Sequence, residues 1–198
     1  MIRACTPADR AELRSLFARV GEGAPALWGH AESEADVYLW PYLEHGTVLV
    51  AVVDGRFVGY LAGAQGSFPG EEERMVAAIK KHRLMVRRAP LAFFARAMVD
   101  SARRRQPTAG ELTDDRWPAH LHINMVPEAR GTGAADELVK EWLSTLDGTG
   151  CYLQTLRENV RAVRFFERMG FTGHGQEPLV PGVRYRGGRV HQKTMVRP

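Results

Sequence analysis

The sequence predicts an α/β (α+β) domain with a mixed central sheet of about six to seven strands, flanked by helices. Three observations predict it: a β-hairpin over residues 46–64, a strand–turn–helix–strand–helix unit over residues 121–171, and a helix-forming insertion over residues 65–118. The insertion falls between the third and fourth predicted strands. A chain of 198 residues can bury a complete core, so we expect a single domain over residues 1–198.

The first elements alternate between strand and helix. Residues 2–5 predict a short strand, and Thr6 offers the N-cap of a helix that follows. Asp9 lies three residues after Thr6, which is close to a capping box. Residues 32–40 predict a second helix, and Pro41 is expected to end or bend it.

A β-hairpin follows these helices. Residues 46–53 and 56–64 are rich in β-branched and apolar residues, as antiparallel strands usually are. Asp54-Gly55 between them suits a two-residue turn, in which both positions need positive φ. This pair is therefore expected to form the second and third strands.

Residues 65–118 form the insertion. An unstructured loop of this length is uncommon inside a compact domain, so we expect two helices, at 70–88 and 90–105. The second helix has an apolar stripe at helical spacing: Leu91, Phe94, Ala95, Met98 and Ala102. The insertion is expected to be a lid over a substrate pocket, a dimerisation face or a purely structural element.

The stretch from residue 121 to residue 171 has a different character. An apolar strand at 121–126 leads into a glycine-bearing turn at 130–135, where a helix opens. A second strand at 151–156 and a second helix at 159–169 follow. Small residues let backbone N–H groups approach a ligand, and a helix start adds partial positive charge. The unit therefore predicts a phosphate-holding clamp for a nucleotide-type cofactor.

Two common glycine-loop motifs do not fit this turn. A P-loop requires Gly-Lys-Ser/Thr, but the first lysine after Gly133 is Lys140. A dinucleotide-binding fingerprint requires a third glycine where the chain has Asp136, an acidic residue that also opposes a pyrophosphate. On the glycine pair alone, a purely structural turn remains open.

Two motifs taken together are more specific. The turn Arg130-Gly131-Thr132-Gly133-Ala134-Ala135 matches every fixed position of Q/R-x-x-G-x-G/A. Asn159 and the run from Ala162 through Phe165-Phe166 to Gly170-Phe171 match N followed by A-x-x-F-Y-x-x-x-G-F, apart from Phe166. In these motifs and their spacing the chain resembles the GNAT superfamily of acyl-CoA-dependent N-acetyltransferases.

This resemblance implies the GNAT fold, acetyl-CoA as co-substrate and a primary amine as acceptor. It implies that N–H groups at Met125 and Val126 hold the pantetheine arm, that the glycine turn holds the pyrophosphate, and that Asn159 bonds the pantetheine amide. The cofactor-binding residues that it assigns are Met125, Val126, Arg130, Gly131, Thr132, Gly133, Ala134, Ala135, Asn159 and Phe166.

A narrower likeness lies nearer the N-terminus. Residues 36–43, DVYLWPYL, followed by LHIN at 121–124, are similar to the acetyltransferase-like domain of O-GlcNAcases and its bacterial relatives. Some members of that group lack catalysis. A non-catalytic acyl-CoA-binding or interaction module is therefore an alternative to an enzyme.

The general acid is an open question. In the family, a tyrosine at the position of Phe166 is often assigned to protonate the departing thiolate, and phenylalanine has no hydroxyl to do so. Tyr152 on the next strand and Tyr185 in the tail are candidate replacements. A thiolate leaving unassisted is the third option, since a thiol pKa of about 8.5 makes it a tolerable leaving group.

The general base is sought on the strand at 121–126. Strand alternation places His120, His122 and Asn124 on one face. Histidine can accept a proton near pH 7, so His122, which lies nearer the clamp than His120, is our candidate for base or acceptor contact. The alternative is that both histidines only form internal hydrogen bonds.

Bulk properties narrow the partners. The net charge of +4 suits an anionic cofactor, and the basic run at 80–88 and Arg103 to Arg105 is interpreted as a solvated helix face, without nucleic acid as partner. Cys5 and Cys151 lack metal-ligand spacing and are expected to be buried free thiols, so we expect no metal.

No apolar run is long enough for a membrane span or signal core, which predicts a cytoplasmic protein. The acceptor is expected to be a small molecule or a protein amine, and a homodimer is one outcome for the insertion.

Overall fold

A computed structural model describes residues 1–21, 27–66, 68, 70–102 and 109–198. The strands are β1 Ile2–Ala4, β2 Thr47–Val53, β3 Arg56–Gln65, β4 Ala119–Met125, β5 Cys151–Leu156, β6 Thr172–His174, β7 Leu179–Tyr185 and β8 Gly188–Arg197. The helices are α1 Arg10–Gly21, α2 Ala31–Tyr38, α3 Trp40–His45, α4 Glu71–Lys81, α5 Arg88–Ala102, α6 Ala134–Ser144 and α7 Val160–Arg168.

These strands form one mixed sheet in the order β1-β2-β3-β4-β5-β8-β6, and β7 pairs with β8 beside this path. Among the described strands, β4 and β5 are the parallel pair, and the other pairs are antiparallel. The predicted fold class is confirmed. No strand was expected at β7, because Pro181 lies inside it; an edge strand with a register shift between Leu179 and Arg184 accommodates that proline.

Local sequence patterns placed the first elements correctly. Asp54 and Gly55 have φ values of 49° and 74°, so the β2–β3 hairpin closes with the two-residue turn that was predicted. Asp9 accepts from the Thr6 amide at 2.8 Å and completes the capping box before α1. The helix break falls at Leu39, directly before Trp40-Pro41 begin α3.

Two helical layers cover the sheet. α1, α2 and α3 pack on one face around a core that includes Leu13, Leu16 and Val50. α6 and α7 pack on the other face, against Leu121, Leu153 and other buried residues. Both cysteines are free thiols; Cys151 is buried, as predicted, and Cys5 is only half-buried. In the described part of the chain, none of the helices combines the length and hydrophobicity that a bilayer crossing requires.

The insertion is helical, as predicted, but its first helix is shorter than residues 70–88. α4 ends at Lys81, and Arg83 adopts a left-handed φ of 51° before a short 3-10 turn at Leu84–Val86. The basic run is therefore not one helix face. Lys81 pairs with Asp36 at 2.7 Å, and Arg103 to Arg105 lie outside the described residues.

The predicted apolar stripe of α5 is correct at Phe94, which stacks on Trp28, and wrong at its ends. Leu91 and Met98 are 46% and 73% exposed, whereas Phe93 and Asp100 point inward. The buried Asp100 carboxylate pairs with Arg184 at 2.7 Å and accepts from the Gly182 amide at 3.0 Å. These contacts and the aromatic packing around Trp28 set the rotation of α5, which no local pattern could reveal. The homodimer remains a prediction.

The same ion pair positions the tail. The Arg184 guanidinium anchors β7 to α5 through Asp100. The turn that joins β7 to β8 follows at Arg186 and Gly187, where φ is 51° and 80°.

Candidate active site

The most distinctive feature of the sheet is a gap between β4 and β5. Their parallel pairing covers three positions and stops at Leu121 opposite Leu153. Both strands continue beyond this pair, β4 to Met125 and β5 to Leu156. Past the last pair the strands no longer hydrogen-bond to each other, so their facing edges open into a slot.

The alternating direction of N–H groups along β4 shows which of its amides face that slot. The Ala119 amide donates to the Gly150 carbonyl on the β5 side, and the Val126 amide donates to Val58 of β3 at 2.9 Å. Because amides alternate along a strand, those of Ile123 and Met125 face β5. The expectation for Met125 is therefore compatible with the structure. The expectation for the Val126 N–H needs correction, because the sheet already uses it.

The glycine turn lies directly before α6. Gly131 and Gly133 have φ of 77° and 82°, and Gly133 is the N-cap residue of the helix. Within the described residues, their amides donate to no group of the chain. A Cβ at either position would meet nothing within 4 Å, so the turn is open to a ligand. An anion here would meet the amides and positive end of α6.

Other residues in and after the turn either use their polar groups in internal hydrogen bonds or carry a carboxylate that repels an anion. The Thr132 hydroxyl donates to the Ala129 carbonyl at 2.8 Å, and its oxygen accepts the Ala134 amide at 3.4 Å. Asp136 and Glu137 lie in the first turn of α6 and oppose negative charge there. An anion at this turn would therefore be held by backbone donors, not by side chains.

The second motif follows β5, the other strand that borders the slot. Asn159 caps α7, its Oδ1 accepting the Ala162 amide at 3.3 Å, so its NH₂ group is the part left to donate to a ligand. Phe166 is buried against Phe165 and Phe171. Ala135 and Arg130 flank the turn, the first half-buried and the second exposed.

The opposite face of the slot carries a cluster of aromatic and imidazole rings. His122 is the first β4 residue after the last β4–β5 pair, and its ring is exposed 5.4 Å from Tyr42. His120 is buried and shares a 2.8 Å hydrogen bond with the Tyr42 hydroxyl. Tyr152 pairs with His120 in register and packs 5.5 Å from it, at the closed end of the slot.

This arrangement separates the two histidines by role. His120 forms an internal hydrogen bond, which was the alternative to a catalytic role. Its Nδ1 is unpaired in the described residues. His122 faces the open site, at the vertex of the slot. Asn124 donates to the Tyr60 hydroxyl at 2.9 Å and so has a structural contact.

Both histidines are neutral at pH 7. Burial lowers the pKa of His120 to about 4, with a smaller contribution from His122. Desolvation by the surrounding protein lowers the pKa of His122 as well, although the residue is exposed. A protonated amine that approaches this face is therefore not repelled by imidazolium charge.

The buried His120 predicts acid sensitivity. An unfolded chain binds a proton at this histidine below pH 6.5, whereas the folded chain resists until about pH 4. Stability is therefore full above pH 6.5 and falls as the pH drops through this window. We expect a loss of about 2 kcal/mol from His120 between pH 7 and pH 5. Urea unfolding at both pH values should show a smaller loss in His120→Gln; an equal loss would contradict this origin.

A carboxylate that sequence reasoning missed lies beside this cluster. The Gly110 carbonyl accepts from the side-chain amides of Gln154 on β5 and Gln192 on β8, which fixes the end of the insertion over the sheet. Glu111 follows directly. Burial, with a smaller contribution from the Glu111 charge, raises the pKa of Tyr152 to about 12. Glu111 therefore lies near Tyr152.

Glu71, at the start of α4, adds negative charge on the same side. Burial, followed by the Glu71 charge, raises the pKa of Glu111 above its ordinary value. The insertion thus contributes two carboxylates near the ring cluster. No local motif marks either residue, and Tyr42 stood out only as part of the 36–43 segment.

Comparisons with known proteins identify the family and the fold. The model of the Acetyltransferase (GNAT) family matches residues 12–171. Among solved structures, the chain is similar to "histone acetyltransferase HPA2 and related acetyltransferase" from Corynebacterium glutamicum ATCC 13032, with a TM-score of 0.65 and 16% identity over 100% of this chain and 95% of that one.

Two further structures have the same architecture. Ribosomal-protein-alanine N-acetyltransferase from Brucella melitensis has a TM-score of 0.61 and 17% identity, over 100% of this chain and 98% of that one. The yncA protein from Salmonella typhimurium, solved with its cofactor acetyl-CoA, has a TM-score of 0.60 and 16% identity, over 99% of this chain and 91% of that one. At these identities the likeness establishes the fold alone.

Proposed function

The chain belongs to the GNAT acetyltransferase family, and on that premise we propose that it transfers an acetyl group from acetyl-CoA to a primary amine. One observation carries the proposal. The slot between β4 and β5 opens beside the glycine turn on one face and beside His122 on the other. A long cofactor with an anionic end and a reactive end fits a passage of that kind.

In this proposal the cofactor is held mainly by backbone groups. The diphosphate lies against the amides of Gly131 and Gly133 and the start of α6. The pantetheine arm extends the edge of β4, where the amides of Ile123 and Met125 lack a strand partner, and the NH₂ group of Asn159 donates to it. Side-chain substitutions preserve such contacts, since the main chain supplies them.

The thioester then lies at the vertex of the slot. The amine nitrogen attacks the thioester carbonyl carbon, and a slot-facing amide of β4 stabilises the oxyanion that forms. Collapse of this tetrahedral intermediate breaks the C–S bond and releases CoA as thiolate. The amine proton passes to His122 or, through water, to solvent. Positioning and the oxyanion contact supply most of the acceleration.

Charge on the acceptor side favours a cationic amine. Two carboxyl groups, Glu71 and Glu111, lie here beside one guanidinium, Arg74, whose charge opposes the rise in the Glu111 pKa, and both histidines are neutral. A protonated amine is therefore attracted, and it releases its proton to solvent water before it attacks. The same reasoning makes the insertion a wall of the acceptor site. A small molecule or a protein amine both satisfy this description.

Release of free CoA thiol is the decisive assay. The purified protein should release thiol from acetyl-CoA only when an amine is present, across a panel of polyamines, amino sugars, antibiotics and peptides with free amino groups. The acetylated product should appear in equal amount. Release that is independent of amine, or no release with any of them, would refute amine acetylation.

A second candidate function is acyl-CoA binding without turnover. Phe166 favours it, because this position lacks the hydroxyl that commonly protonates the leaving thiolate. Such a protein would bind acetyl-CoA with ordinary affinity and yet release no thiol in the same assay. Binding and turnover therefore have to be measured on the same preparation.

Phe166→Tyr tests the cost of the missing hydroxyl. A positioned acid typically contributes about 100- to 10,000-fold. Because the new hydroxyl is not ideally placed, we expect kcat to rise by about tenfold, with little change in the Kd of acetyl-CoA. Phe165→Tyr, on the neighbouring ring, is the matched control. An unchanged kcat in Phe166→Tyr would mean that proton delivery does not limit this enzyme.

A further inference from the structure

Three potential metal ligands meet far from the slot between β4 and β5. His30 and Glu32 lie at the start of α2, and His82 ends α4. They are distant in sequence, yet one ligand atom from each lies within 4.8 Å of those from the other two. The two imidazole rings are 5.1 Å apart, centroid to centroid.

Neighbouring groups already orient both imidazoles. The Nε2 of His82 hydrogen-bonds to Asp36 Oδ2 at 2.8 Å. The Nδ1 of His30 lies 3.0 Å from the Ser33 hydroxyl and 3.3 Å from the Ser33 amide. In the tautomers in which His30 Nδ1–H donates to the Ser33 hydroxyl and His82 Nε2–H donates to Asp36, the lone pairs of His30 Nε2 and His82 Nδ1 remain for a ligand, and the longer contact from the Ser33 amide is given up. A carboxylate on the far nitrogen of a metal-binding histidine is a frequent outer-shell arrangement.

We infer that His30, Glu32 and His82 form a binding site for a divalent ion of the zinc class. Two imidazoles and a carboxylate are a common protein ligand set for zinc, and water completes the coordination. Ligand atoms around tetrahedral zinc are about 3.3 Å apart, given bonds of about 2.0 Å. Side-chain rotation of the exposed Glu32 can close the remaining distance.

The ligand types help to identify the ion. Charges of both signs surround the site: Glu34 accepts the His30 amide at 3.2 Å, Lys81 bonds Asp36 at 2.7 Å, and Arg87 donates to the His82 carbonyl at 2.9 Å. Two of the three ligands are imidazoles, whereas Ca²⁺ and Mg²⁺ prefer oxygen ligands. Metals with high affinity for imidazole, such as zinc, cobalt(II) and nickel(II), are favoured.

The ion would tie the insertion to the body of the domain. His82 follows the last turn of α4, and the other two ligands belong to the start of α2, so coordination joins the two helices at one end. The initial expectation of no metal considered cysteine spacing and could not foresee this meeting of distant histidines. The inference is independent of acetyl transfer.

Zinc titration of the tag-free full chain tests the site. We expect one saturable zinc ion per chain by calorimetry, with a rise in the thermal unfolding midpoint. Cobalt(II) should give the visible absorption of a low-coordinate nitrogen and oxygen site, without a thiolate charge-transfer band. That spectrum distinguishes this site from adventitious binding at Cys5.

Two ligand variants and one control complete the test. Glu32→Gln and His82→Gln should each raise the Kd for zinc by at least about tenfold. Glu72→Gln, an exposed glutamate of α4 outside the cluster, should bind as the wild type does. The inference is overturned if the wild type shows no saturable binding, or if either ligand variant keeps the wild-type affinity.

Discussion

Replacing Gly133 with glutamate is expected to abolish acetyl-CoA binding under conditions that saturate the wild-type protein. Gly133 is the N-cap of α6 with φ of 82°, and its amide is one of the donors proposed for the diphosphate. The new carboxylate would enter the open turn and repel the cofactor. We expect the Kd measured by calorimetry to rise at least about 100-fold, which corresponds to about 3 kcal/mol.

Gly148→Glu is a matched control for this change. Gly148 has φ of 78°, and a Cβ there also meets nothing within 4 Å. It lies beyond the opposite end of α6, so its replacement carries the same strain and charge without touching the proposed cradle. If both variants bind acetyl-CoA as tightly as the wild type, the diphosphate does not lie at the glycine turn.

The second large effect is expected at His122. His122→Gln should lower kcat by about 100-fold, because glutamine keeps a polar contact but cannot accept a proton. The Kd of acetyl-CoA should not change, since the backbone of β4 and not this side chain holds the cofactor. Steady-state kinetics with a saturating amine and a separate binding titration separate the two effects.

His174→Gln serves as the control, because His174 lies on β6 at the far edge of the sheet. Unchanged turnover in His122→Gln would contradict its assignment and direct attention to water and Glu111 as the proton route. A parallel loss of cofactor affinity would show that the ring supports the slot instead of handling a proton.

Short-range patterns explain why so much of the fold could be predicted. Asp54-Gly55 specifies its turn by local backbone preference alone, and Thr6 with Asp9 does the same for a helix start. The glycine turn before α6 is equally local: Gly131 and Gly133 supply the positive φ that this conformation needs. Each of these features is determined by neighbours within a few residues.

Long-range contacts explain what could not be predicted. The rotation of α5 depends on Asp100 meeting Arg184, and the position of Glu111 depends on Gln154 and Gln192 holding Gly110. The β4–β5 slot depends on where pairing stops, which is a property of the whole sheet. None of these contacts can be inferred from the spacing of residues in the sequence.

A crystal structure of the protein with acetyl-CoA tests the central claim most directly. The account predicts the diphosphate within hydrogen-bonding distance of the Gly131 and Gly133 amides, the pantetheine arm between β4 and β5, and the thioester beside His122. Acetyl-CoA bound elsewhere, or a slot that stays empty at saturating cofactor, would contradict it.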